Sequence, residues 1–412
     1  MDLIWAIAVA SHALIQDYDS SLELILPIDT AAQKLFKKIF GVFLRWDSFY
    51  FVHQSEHGYV FEQAHAFFPL PPILMNLVAD TVLAPFSSIL EGNQSLVLAG
   101  VLVAHVSFVA AAVQLYRLTY KLFGLEKFAF LSAMVYVLTP SGIFMSAINA
   151  ESLFAALTFT GMIFAAERRY LLAAIAWSLS STARSNGILY AGFFIYDLVI
   201  QMDSQKPLMH KLFMPVKTGS LCLISWSGFF AVQAYGYALY CSGQFSGLDA
   251  RPWCSKPIPL MYSFVQEFYW NVGFLRYYEI KQIPNFAMAA PMILFSASGI
   301  YYYVKYDLHR ALTLGRQSSR SQDRNVAPFL SQKIFPYIAL WAALLMINTL
   351  TMHIQIITRA FSCLPPVYWF AAHQFDGRAS TLGSGWTRAV VIFFVMYGLI
   401  GVILYANFFP PA

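Results

Sequence analysis

The sequence predicts an all-α, polytopic membrane protein, and three observations support this fold class. The chain has 412 residues, of which 58% are hydrophobic and only 11% are charged, whereas soluble domains are about 25% charged. Its mean hydropathy is +0.58. Apolar stretches that approach the roughly 20 residues needed to cross a bilayer recur along the whole chain. We therefore expect one membrane-embedded domain, residues 1–412, and no separate soluble domain.

The apolar stretches predict roughly 10 to 13 membrane segments, because each span needs about 20 apolar residues. The long candidates are 96–116, 128–148, 150–166, 218–240, 286–304, 334–352 and 388–408, and the shorter or broken candidates are 2–16, 69–90, 170–200 and 360–376. The segment nearest the N-terminus, 2–16, has no basic region before it and no signal-peptide cleavage site after it, so it is predicted to be retained as a helix.

Basic loops orient these segments through the positive-inside rule. Loop 305–333 and loop 201–217 are rich in Lys and Arg, so both are predicted to be cytosolic. Three regions then face the lumen: the first loop, 17–68, the aromatic-rich loop, 243–285, and the short stretch 353–359. The first luminal loop includes an amphipathic piece that is predicted to lie along the membrane surface as a helix, over residues 31–44.

Two further basic clusters, 117–127 and 167–169, leave the middle of the topology open. If both are cytosolic, segment 170–200 splits around Arg184 into two half-length helices, and the count of crossings fails by one. Either the proline-interrupted segment 69–90 is then re-entrant, or one cluster breaks the rule. The sequence favours the re-entrant alternative only weakly.

Carboxylates suited to acid–base chemistry stand near aromatic residues at the predicted luminal boundary. Asp47 directly follows Trp46, Glu62 lies in the same luminal loop, and Glu151 lies in a turn between apolar segments. A carboxylate that is partly desolvated has a raised pKa and can act as a general base. We predict Asp47 as the base, with Glu62 and Glu151 as alternatives. A solvated loop with interfacial aromatics is the structural alternative.

The same loop contains His53-Gln-Ser-Glu56-His57, which matches the H-x-x-E-H pattern of inverzincin metalloproteases. On a helix the two histidines would share a face and could hold zinc, with Glu56 as the base. Such short matches arise by chance, and no further acidic ligand is evident. We predict no metal site, and a membrane metalloprotease is the least favoured function.

Polar and aromatic side chains on the luminal side are typical of a site for sugars and phosphates. An arginine inside an apolar stretch is costly, so Arg184 is a functional candidate, although a structural pair with Glu151 or Asp197 is an equal alternative. Aromatic rings stack on sugars, while amides and guanidiniums bond hydroxyls and phosphates. The predicted binding residues are Trp46, Arg184, Asn186, Arg251, Trp253, Trp270, Asn271, Arg276, Gln282, His353, Gln355 and Arg359.

Charge and cysteine usage restrict the partners and the compartment. The net charge of +5 comes from short loops between spans, so nucleic acid is not an expected partner. Cys241 and Cys254 flank a luminal stretch and could form a disulfide in an oxidising compartment. Cys222 and Cys363 lie in apolar segments and are expected to be packing residues.

Short motifs in collinear order across most of the chain resemble one known family. They are Arg45-Trp-Asp-Ser, Ala66-Phe-Phe-Pro69, Ala150-Glu-Ser-Leu-Phe154, Arg184-Ser-Asn-Gly187, Arg251-Pro-Trp-Cys254, Tyr269-Trp-Asn-Val-Gly273 and Gln282-Ile-Pro-Asn-Phe286. Together they resemble the PIG-V family, the second mannosyltransferase of glycosylphosphatidylinositol (GPI) anchor assembly. The sequence departs from the family pattern at His53 to His57 and at Ala150.

The resemblance implies a GT-C-type glycosyltransferase in the endoplasmic reticulum membrane with a luminal active site. It implies dolichyl-phosphate-mannose as donor, a glycolipid acceptor, and an α-1,6-linked second mannose. Because the donor is β-linked and the product α-linked, the reaction would be a single inverting displacement. Arg184 and Arg251 would stabilise the departing phosphate, so no metal or other cofactor is expected. Trp46, Trp253, Trp270 and Asn271 would line the sugar sites.

A secondary transporter of a polar or lipid-linked solute is the main rival function. Its halves should show matching hydropathy, and the sequence shows no such repeat. The sequence leaves open whether a small membrane partner subunit exists.

Overall fold

The computed structural model describes residues 2–26, 29–201, 207–242, 251–317, 326–375 and 383–410. These residues form α-helices, short 3-10 turns and one π turn, with no β-strand among them. The predicted all-α, polytopic membrane architecture is confirmed. Four predicted loops, 17–68, 201–217, 243–285 and 305–333, each have a part outside the described residues, at 27–28, 202–206, 243–250 and 318–325.

Twenty α-helices follow one another along the described residues. The first ten are α1 Asp2–Leu14, α2 Leu22–Ile25, α3 Ala31–Phe40, α4 Ser48–His57, α5 Leu70–Thr81, α6 Gln94–Phe123, α7 Glu126–Val137, α8 Gly142–Ser146, α9 Glu151–Ala166 and α10 Tyr170–Ser181. The others are α11 Gly192–Gln201, α12 Leu208–Cys241, α13 Met261–Phe268, α14 Ile283–Tyr306, α15 Leu308–Leu312, α16 Phe335–Thr351, α17 Ile357–Ala360, α18 Pro365–Phe375, α19 Gly383–Ile392 and α20 Gly398–Ala406.

Four helical segments of the described chain are long and apolar enough to cross a membrane. They are Gln94–Phe123, Ile280–Tyr306, Gln332–Thr351 and Gly385–Ala406. Apolar helices α1, α9 and α10 are shorter than the about 20 residues of a full span. The predicted split of segment 170–200 is confirmed, since a 3-10 turn, Ser185–Ala191, separates α10 from α11.

Helix α3 has the form expected for a helix on the membrane surface. Thr30 caps it: its hydroxyl accepts from the backbone N–H of Gln33 at 3.2 Å, and the Gln33 side chain accepts from the backbone N–H of Thr30 at 3.1 Å. This reciprocal capping satisfies two N–H groups that would otherwise lack partners. None of the residues of α3 is buried, so the helix lies on the outside of the fold.

The helical core is built around α9, which packs between α6 and α10. Close approach of α9 and α10 depends on Gly161, because a Cβ there would lie 2.2 Å from Nε1 of Trp177. Small residues allow membrane helices to approach closely, and close packing replaces the hydrophobic driving force that lipid removes. The fully buried Trp177 then fills the space between the helices.

Contacts at the two ends of α6 define two opposite faces of the protein. Lys333 Nζ donates to the carbonyl of Leu122 at 3.3 Å, so α6 ends on the face that carries the basic loop. At the other end of α6, Asn93 Nδ2 donates to Glu56 Oε2 at 3.0 Å. We call the face that contains Asn93 and Glu56 the site face.

Segment 69–90 begins and ends on the site face. It starts beside Phe68, which lines the cavity described below, and Glu91 just after it accepts a 2.6 Å hydrogen bond from Gln33. Its helix, α5, has only 12 residues, which is too short to span a bilayer. The structure therefore favours the re-entrant alternative.

Candidate active site

A cavity of about 360 Å³ opens on the site face, where the N-terminal ends of α4 and α9 meet the breaks after α10 and α16. The predicted site residues that line it are Trp46, Asp47, Glu151, Arg184, Asn186, Trp270, His353, Gln355 and Arg359. These side chains come from distant parts of the sequence, and the three predicted luminal regions all contribute. The structure thus brings together most of the residues that the sequence singled out.

Two carboxylates and two guanidiniums form an ion-pair cluster in the cavity wall. Arg359 Nη2 donates to Asp47 Oδ2 at 2.6 Å, and its Nε donates to Glu151 Oε1 at 2.7 Å. Arg184 Nη1 lies 2.6 Å from the same Glu151 oxygen. Arg359 therefore links the two carboxylates, and Glu151 links the two arginines.

The two carboxylates have different surroundings. The Glu151 side chain is 1% exposed and holds two arginines, whereas the Asp47 side chain is 31% exposed and holds one. A group that exchanges a proton with a substrate must reach it within hydrogen-bond distance. Asp47 is the more open of the two carboxylates, and Glu151 is a buried counter-ion to the two arginines.

Local structure fixes each member of the cluster. Trp46 adopts a left-handed backbone conformation, with φ of 54°, so the chain turns sharply before Asp47 and α4. Glu151 is the first residue of α9, where the helix dipole favours a negative charge. Arg359 stacks over the ring of Phe144, with 4.4 Å between the guanidinium carbon and the ring centroid.

The electrostatics of the cluster keep Arg359 charged. Burial alone would lower the pKa of this guanidinium, but the adjacent Glu151 and Asp47 carboxylates raise it well above its ordinary value. The arginine therefore remains a cation that draws the two carboxylate-bearing segments together.

Aromatic side chains and one histidine form another wall of the cavity. Trp270 contacts Phe67 edge-on, with ring centroids 5.9 Å apart, and Trp46, which is 41% exposed, also lines the cavity. His353 Nε2 pairs with the carbonyl of Trp270 at 2.7 Å, and its ring stacks on Tyr277. Tyr277 also donates to the side chain of Gln355. This wall can stack on a sugar ring and bond its hydroxyls.

Three of the predicted residues form a separate network and do not line the cavity. Glu62 accepts from both Nε and Nη2 of Arg251, from Trp253 Nε1 at 2.8 Å, and from the hydroxyl of Tyr269 at 2.8 Å. With four donors on a side chain that is 5% exposed, Glu62 is not available as a base. Arg251 is paired and Trp253 is fully buried, so the phosphate and sugar roles predicted for them do not fit this placement.

This network, which we call the Glu62 brace, affects the cavity through its neighbours. Ala66 and Phe67 follow Glu62 along the chain, while Gln266 and Trp270 lie beside Tyr269, and all four line the cavity. Burial alone would raise the pKa of Glu62, but the hydrogen bonds from Arg251, Trp253 and Tyr269 lower it overall. The charged brace therefore holds two cavity walls together.

The other predicted residues of the aromatic-rich loop also lie outside the cavity lining. Arg276 forms an exposed ion pair with Glu267 at 2.7 Å. Asn271 occupies a turn with φ of 50°. Gln282 accepts from Asn285 at 2.6 Å, and Asn285 also donates to the hydroxyl of Tyr277 at 2.8 Å.

Some cavity residues were not predicted from the sequence. They are Gln266, Asn348, Ser185 and Tyr262. Asn348 lies inside an apolar helix, α16, and an amide in a membrane segment is a signal that could have found it. The hydroxyl pair of Ser185 and Tyr262, 2.8 Å apart, joins segments that sequence order does not connect.

The remaining predicted features have structural places. Cys241 and Cys254 form a disulfide beside the Glu62 brace, and Cys222 and Cys363 are buried free thiols. The rings of His53 and His57 lie 4.9 Å apart. Across the described chain, no group of three or more His, Cys, Asp or Glu residues is placed to hold a metal ion.

Comparison with known proteins gives matches over nearly the whole chain. A family model described as Mannosyltransferase (PIG-V) matches residues 3–412. The GPI alpha-1,6-mannosyltransferase 2 of Cricetulus griseus is 30% identical, over 92% of this chain and 90% of its own. The GPI mannosyltransferase 2 of Schizosaccharomyces pombe is 32% identical, over 93% of this chain and 76% of its own. Among solved structures, the archaeal oligosaccharyltransferase AglB from Archaeoglobus fulgidus is similar with a TM-score of 0.49 and 11% identity, over 100% of this chain and 56% of that chain.

Proposed function

The chain belongs to the PIG-V family of mannosyltransferases, and we propose that it adds the second, α-1,6-linked mannose to a GPI precursor, with dolichyl-phosphate-mannose as donor. The charged cluster of Asp47, Glu151, Arg184 and Arg359 in the cavity on the site face is the observation that carries the proposal. It lies in a chain that the family model matches over residues 3–412. Membership of this family displaces the transporter and the metalloprotease as alternatives.

Asp47 is the proposed general base. The acceptor hydroxyl attacks the anomeric carbon of the donor mannose, and its proton passes to Asp47 as the new glycosidic bond forms. The bond from the anomeric carbon to the phosphate oxygen breaks, and dolichyl phosphate leaves with the electron pair. Attack opposite to the leaving group converts a β-linked donor into an α-linked product. General-base catalysis of this kind supplies about 10²- to 10⁴-fold in rate.

Arg184 is the proposed phosphate ligand. Its guanidinium lines the cavity and is 21% exposed, while Glu151 holds one end of it at 2.6 Å. A fixed guanidinium can form charge-assisted bonds to phosphate oxygens, and these strengthen as negative charge develops on the leaving group. The second arginine of the site is Arg359 and not Arg251, which the sequence predicts in that role. Arg359 binds the carboxylates of Asp47 and Glu151 and not the phosphate. The Arg184 cation then stabilises the leaving group, and we propose that the reaction needs no metal ion.

The sugar-binding roles belong to the residues that reach the cavity. Trp46 and Trp270 offer aromatic faces, and Asn186, His353 and Gln355 offer hydrogen-bonding groups to mannose hydroxyls. We place the site face in the lumen of the endoplasmic reticulum, because the basic loops lie at the opposite ends of the helices. The acceptor is a lipid-linked glycan, and a small membrane partner subunit is compatible with this arrangement.

Mannose transfer by the purified protein in liposomes tests the proposal. Radiolabelled dolichyl-phosphate-mannose and a GPI precursor with one mannose are supplied, and the product is digested with an α-1,6-specific mannosidase. We expect a labelled, mannosidase-sensitive glycolipid, formed equally well with and without a chelator. Absence of this product would overturn the proposed function, and loss of activity on chelation that zinc or manganese restores would overturn the metal-free mechanism.

Two matched variants test the role of the base. Asp47→Asn should lower the turnover about 10²- to 10⁴-fold at unchanged protein abundance, because the carboxylate that accepts the proton is removed. Asp80→Asn makes the same chemical change at an exposed position of α5 and should behave as wild type. An Asp47→Asn enzyme that keeps more than half of the wild-type turnover would remove Asp47 from the mechanism.

A further inference from the structure

Tyr405 is a fully buried tyrosine in the last turn of α20, next to the catalytic cavity but outside its lining. Its ring packs edge-on against Phe144, with centroids 5.3 Å apart. Phe144 in turn lies under the guanidinium of Arg359. Packing alone would be satisfied by a phenylalanine, so the hydroxyl group needs a separate explanation.

The hydroxyl of Tyr405 touches both segments that carry the carboxylates. It donates to the carbonyl of Arg45 at 3.1 Å and lies 3.0 Å from the hydroxyl of Ser48. These two residues flank the pair Trp46 and Asp47. It also accepts from Asn149 Nδ2 at 3.4 Å, two residues before Glu151. A single oxygen therefore connects the turn of Asp47 with the turn of Glu151.

The end of α20 is held to the Asp47 turn by a second set of bonds. Arg45 is fully buried, and its Nε and Nη2 donate to the carbonyl of Ala406 at 3.1 and 2.9 Å. Its guanidinium also lies over the ring of Phe408, 4.2 Å from the centroid. Because Arg45 fixes the helix end, the Tyr405 hydroxyl has a fixed place from which to hold the backbone around Asp47.

The Asp47 turn needs such support. Trp46 has a positive φ of 54°, a conformation that non-glycine residues adopt only when the surroundings impose it. Arg359 must meet Asp47 at 2.6 Å and Glu151 at 2.7 Å at the same time, so a small shift of either turn breaks one of these contacts. Displacement of a reacting group by about 1 Å can cost about 100-fold in rate.

We propose that Tyr405 is a positioning residue, whose hydroxyl sets the distance between the Asp47 turn and the Glu151 turn. This inference rests on the proposed function, since it assigns Tyr405 to the placement of the general base. The phenol touches neither donor nor acceptor. Its contribution should appear in turnover and leave substrate binding unchanged.

Tyr405→Phe, which keeps the ring and removes only the hydroxyl, tests this assignment. We expect the kcat for mannose transfer to fall about 10- to 100-fold, with the KM for both substrates within about twofold of wild type. The double variant Tyr405→Phe with Asp47→Asn should be no slower than Asp47→Asn alone, because residues that act through one group are not additive. Additive losses, or a rise in KM without a fall in kcat, would overturn the positioning role.

Tyr136→Phe is the matched control. Tyr136 is also fully buried, and within the described part of the chain its hydroxyl makes no hydrogen bond. Its substitution should leave kcat and KM unchanged. An equal loss in both variants would show that any buried tyrosine is needed for packing and would overturn the specific role of Tyr405.

Amide hydrogen exchange of the same variants separates this inference from the proposed function. In Tyr405→Phe, peptides that cover 43–50 and 147–152 should exchange faster than in wild type, and in Tyr136→Phe they should not. This readout needs no substrate. If wild type transfers no mannose, the proposed function fails, and the exchange rates still decide whether Tyr405 holds the two turns. Unchanged exchange in Tyr405→Phe would overturn the inference even where mannose transfer is confirmed.

Discussion

Replacement of Glu62 by Gln should loosen the site face without removing Asp47, the proposed general base. Glu62 accepts from Arg251, Trp253 and Tyr269, which lie between 189 and 207 residues away in the sequence. The amide keeps the size of the side chain but loses its charge, and its NH₂ group opposes the Arg251 donors. Removing one partner of a buried ion pair costs about 3 to 5 kcal/mol. The low end applies here, because Arg251 is 29% exposed and water can reach its freed guanidinium.

The expected effect on local opening follows from this figure. About 3 kcal/mol corresponds to roughly a 100-fold larger population of the opened state, since each 1.4 kcal/mol is about tenfold. Amide exchange in peptides covering 62–68 and 251–270 should accelerate by that factor. Turnover at saturating donor should stay within about threefold of wild type, whereas loss of a general base would cost about 10²- to 10⁴-fold.

Glu267→Gln is the matched control for this experiment. Glu267 belongs to the same surface and pairs with Arg276, but both side chains are about half exposed, at 52% and 42%. Exposed ion pairs contribute about 0 to 1 kcal/mol, so exchange should hardly change. Equal exchange in the two variants would refute the Glu62 brace, and a collapse of turnover in Glu62→Gln alone would restore Glu62 as a catalytic residue.

The brace also predicts a dependence on pH. The pKa of Glu62 is lower in the folded protein than the roughly 4.3 of a free glutamate. The stabilisation is therefore fully present above about pH 4.3 and is lost as the pH falls through the folded-state pKa. The melting temperatures of wild type and Glu62→Gln in detergent should accordingly converge as the pH is lowered below about 4. A constant gap would contradict the charged state of the brace.

Two further predictions concern the phosphate ligand and the topology. Arg184→Ala should lower kcat about 10²- to 10³-fold, which is the usual loss when one donor to a developing negative charge is removed. Arg388→Ala, at an exposed position of α19, should leave kcat unchanged. Equal turnover in the two variants would show that Arg184 is not a phosphate ligand. Asn93-Gln94-Ser95 matches the N-x-S/T sequon for N-glycosylation. It should stay unglycosylated in the wild type, because Asn93 abuts α6 and donates to Glu56. A flexible insert in 91–95 should then give an endoglycosidase-sensitive mass shift that Asn93→Gln abolishes, and absence of the shift beside a working sequon in the 243–285 loop would contradict the luminal placement.

Much of the fold could be predicted from the sequence because its determinants are local. Apolar runs give the long helices, and the charge of Arg184 gives the break between α10 and α11. Segment 69–90 could not be settled in this way, because prolines are found in re-entrant helices and in the first turns of spanning helices alike. The contacts that favour re-entry are tertiary: the hydrogen bonds from Gln33 to Glu91 and from Asn93 to Glu56.

The candidate site, like the fold, could be predicted only in part from the sequence. Sidedness predicts that the luminal regions converge, and they do in the cavity, but it cannot say which carboxylate receives which arginine. Asp47 and Glu62 have similar sequence surroundings, with aromatic neighbours at the membrane boundary. Glu62 is consumed by Arg251 and Trp253, and Asp47 stays open to the cavity. The pairings of Glu62 with Arg251 and of Asp47 with Arg359 depend on contacts across 189 residues or more, which no local pattern encodes.

In the cluster, Glu151 contacts two arginines and Asp47 contacts one. This arrangement suits the movement of charge in the proposed reaction. Before transfer, Asp47 is anionic and the donor phosphate carries one negative charge as a diester. Afterwards Asp47 holds the proton, and the phosphate, now a monoester, carries a charge of about −1.5 to −2. Negative charge therefore leaves the neighbourhood of Arg359 and appears near Arg184. Glu151 contacts both guanidiniums through one oxygen, at 2.7 and 2.6 Å, and itself stays buried and unreacted. The Glu151 carboxylate therefore holds both guanidiniums in place while negative charge is lost beside Arg359 and appears beside Arg184. No protein group must then reorganise when charge develops on the leaving phosphate.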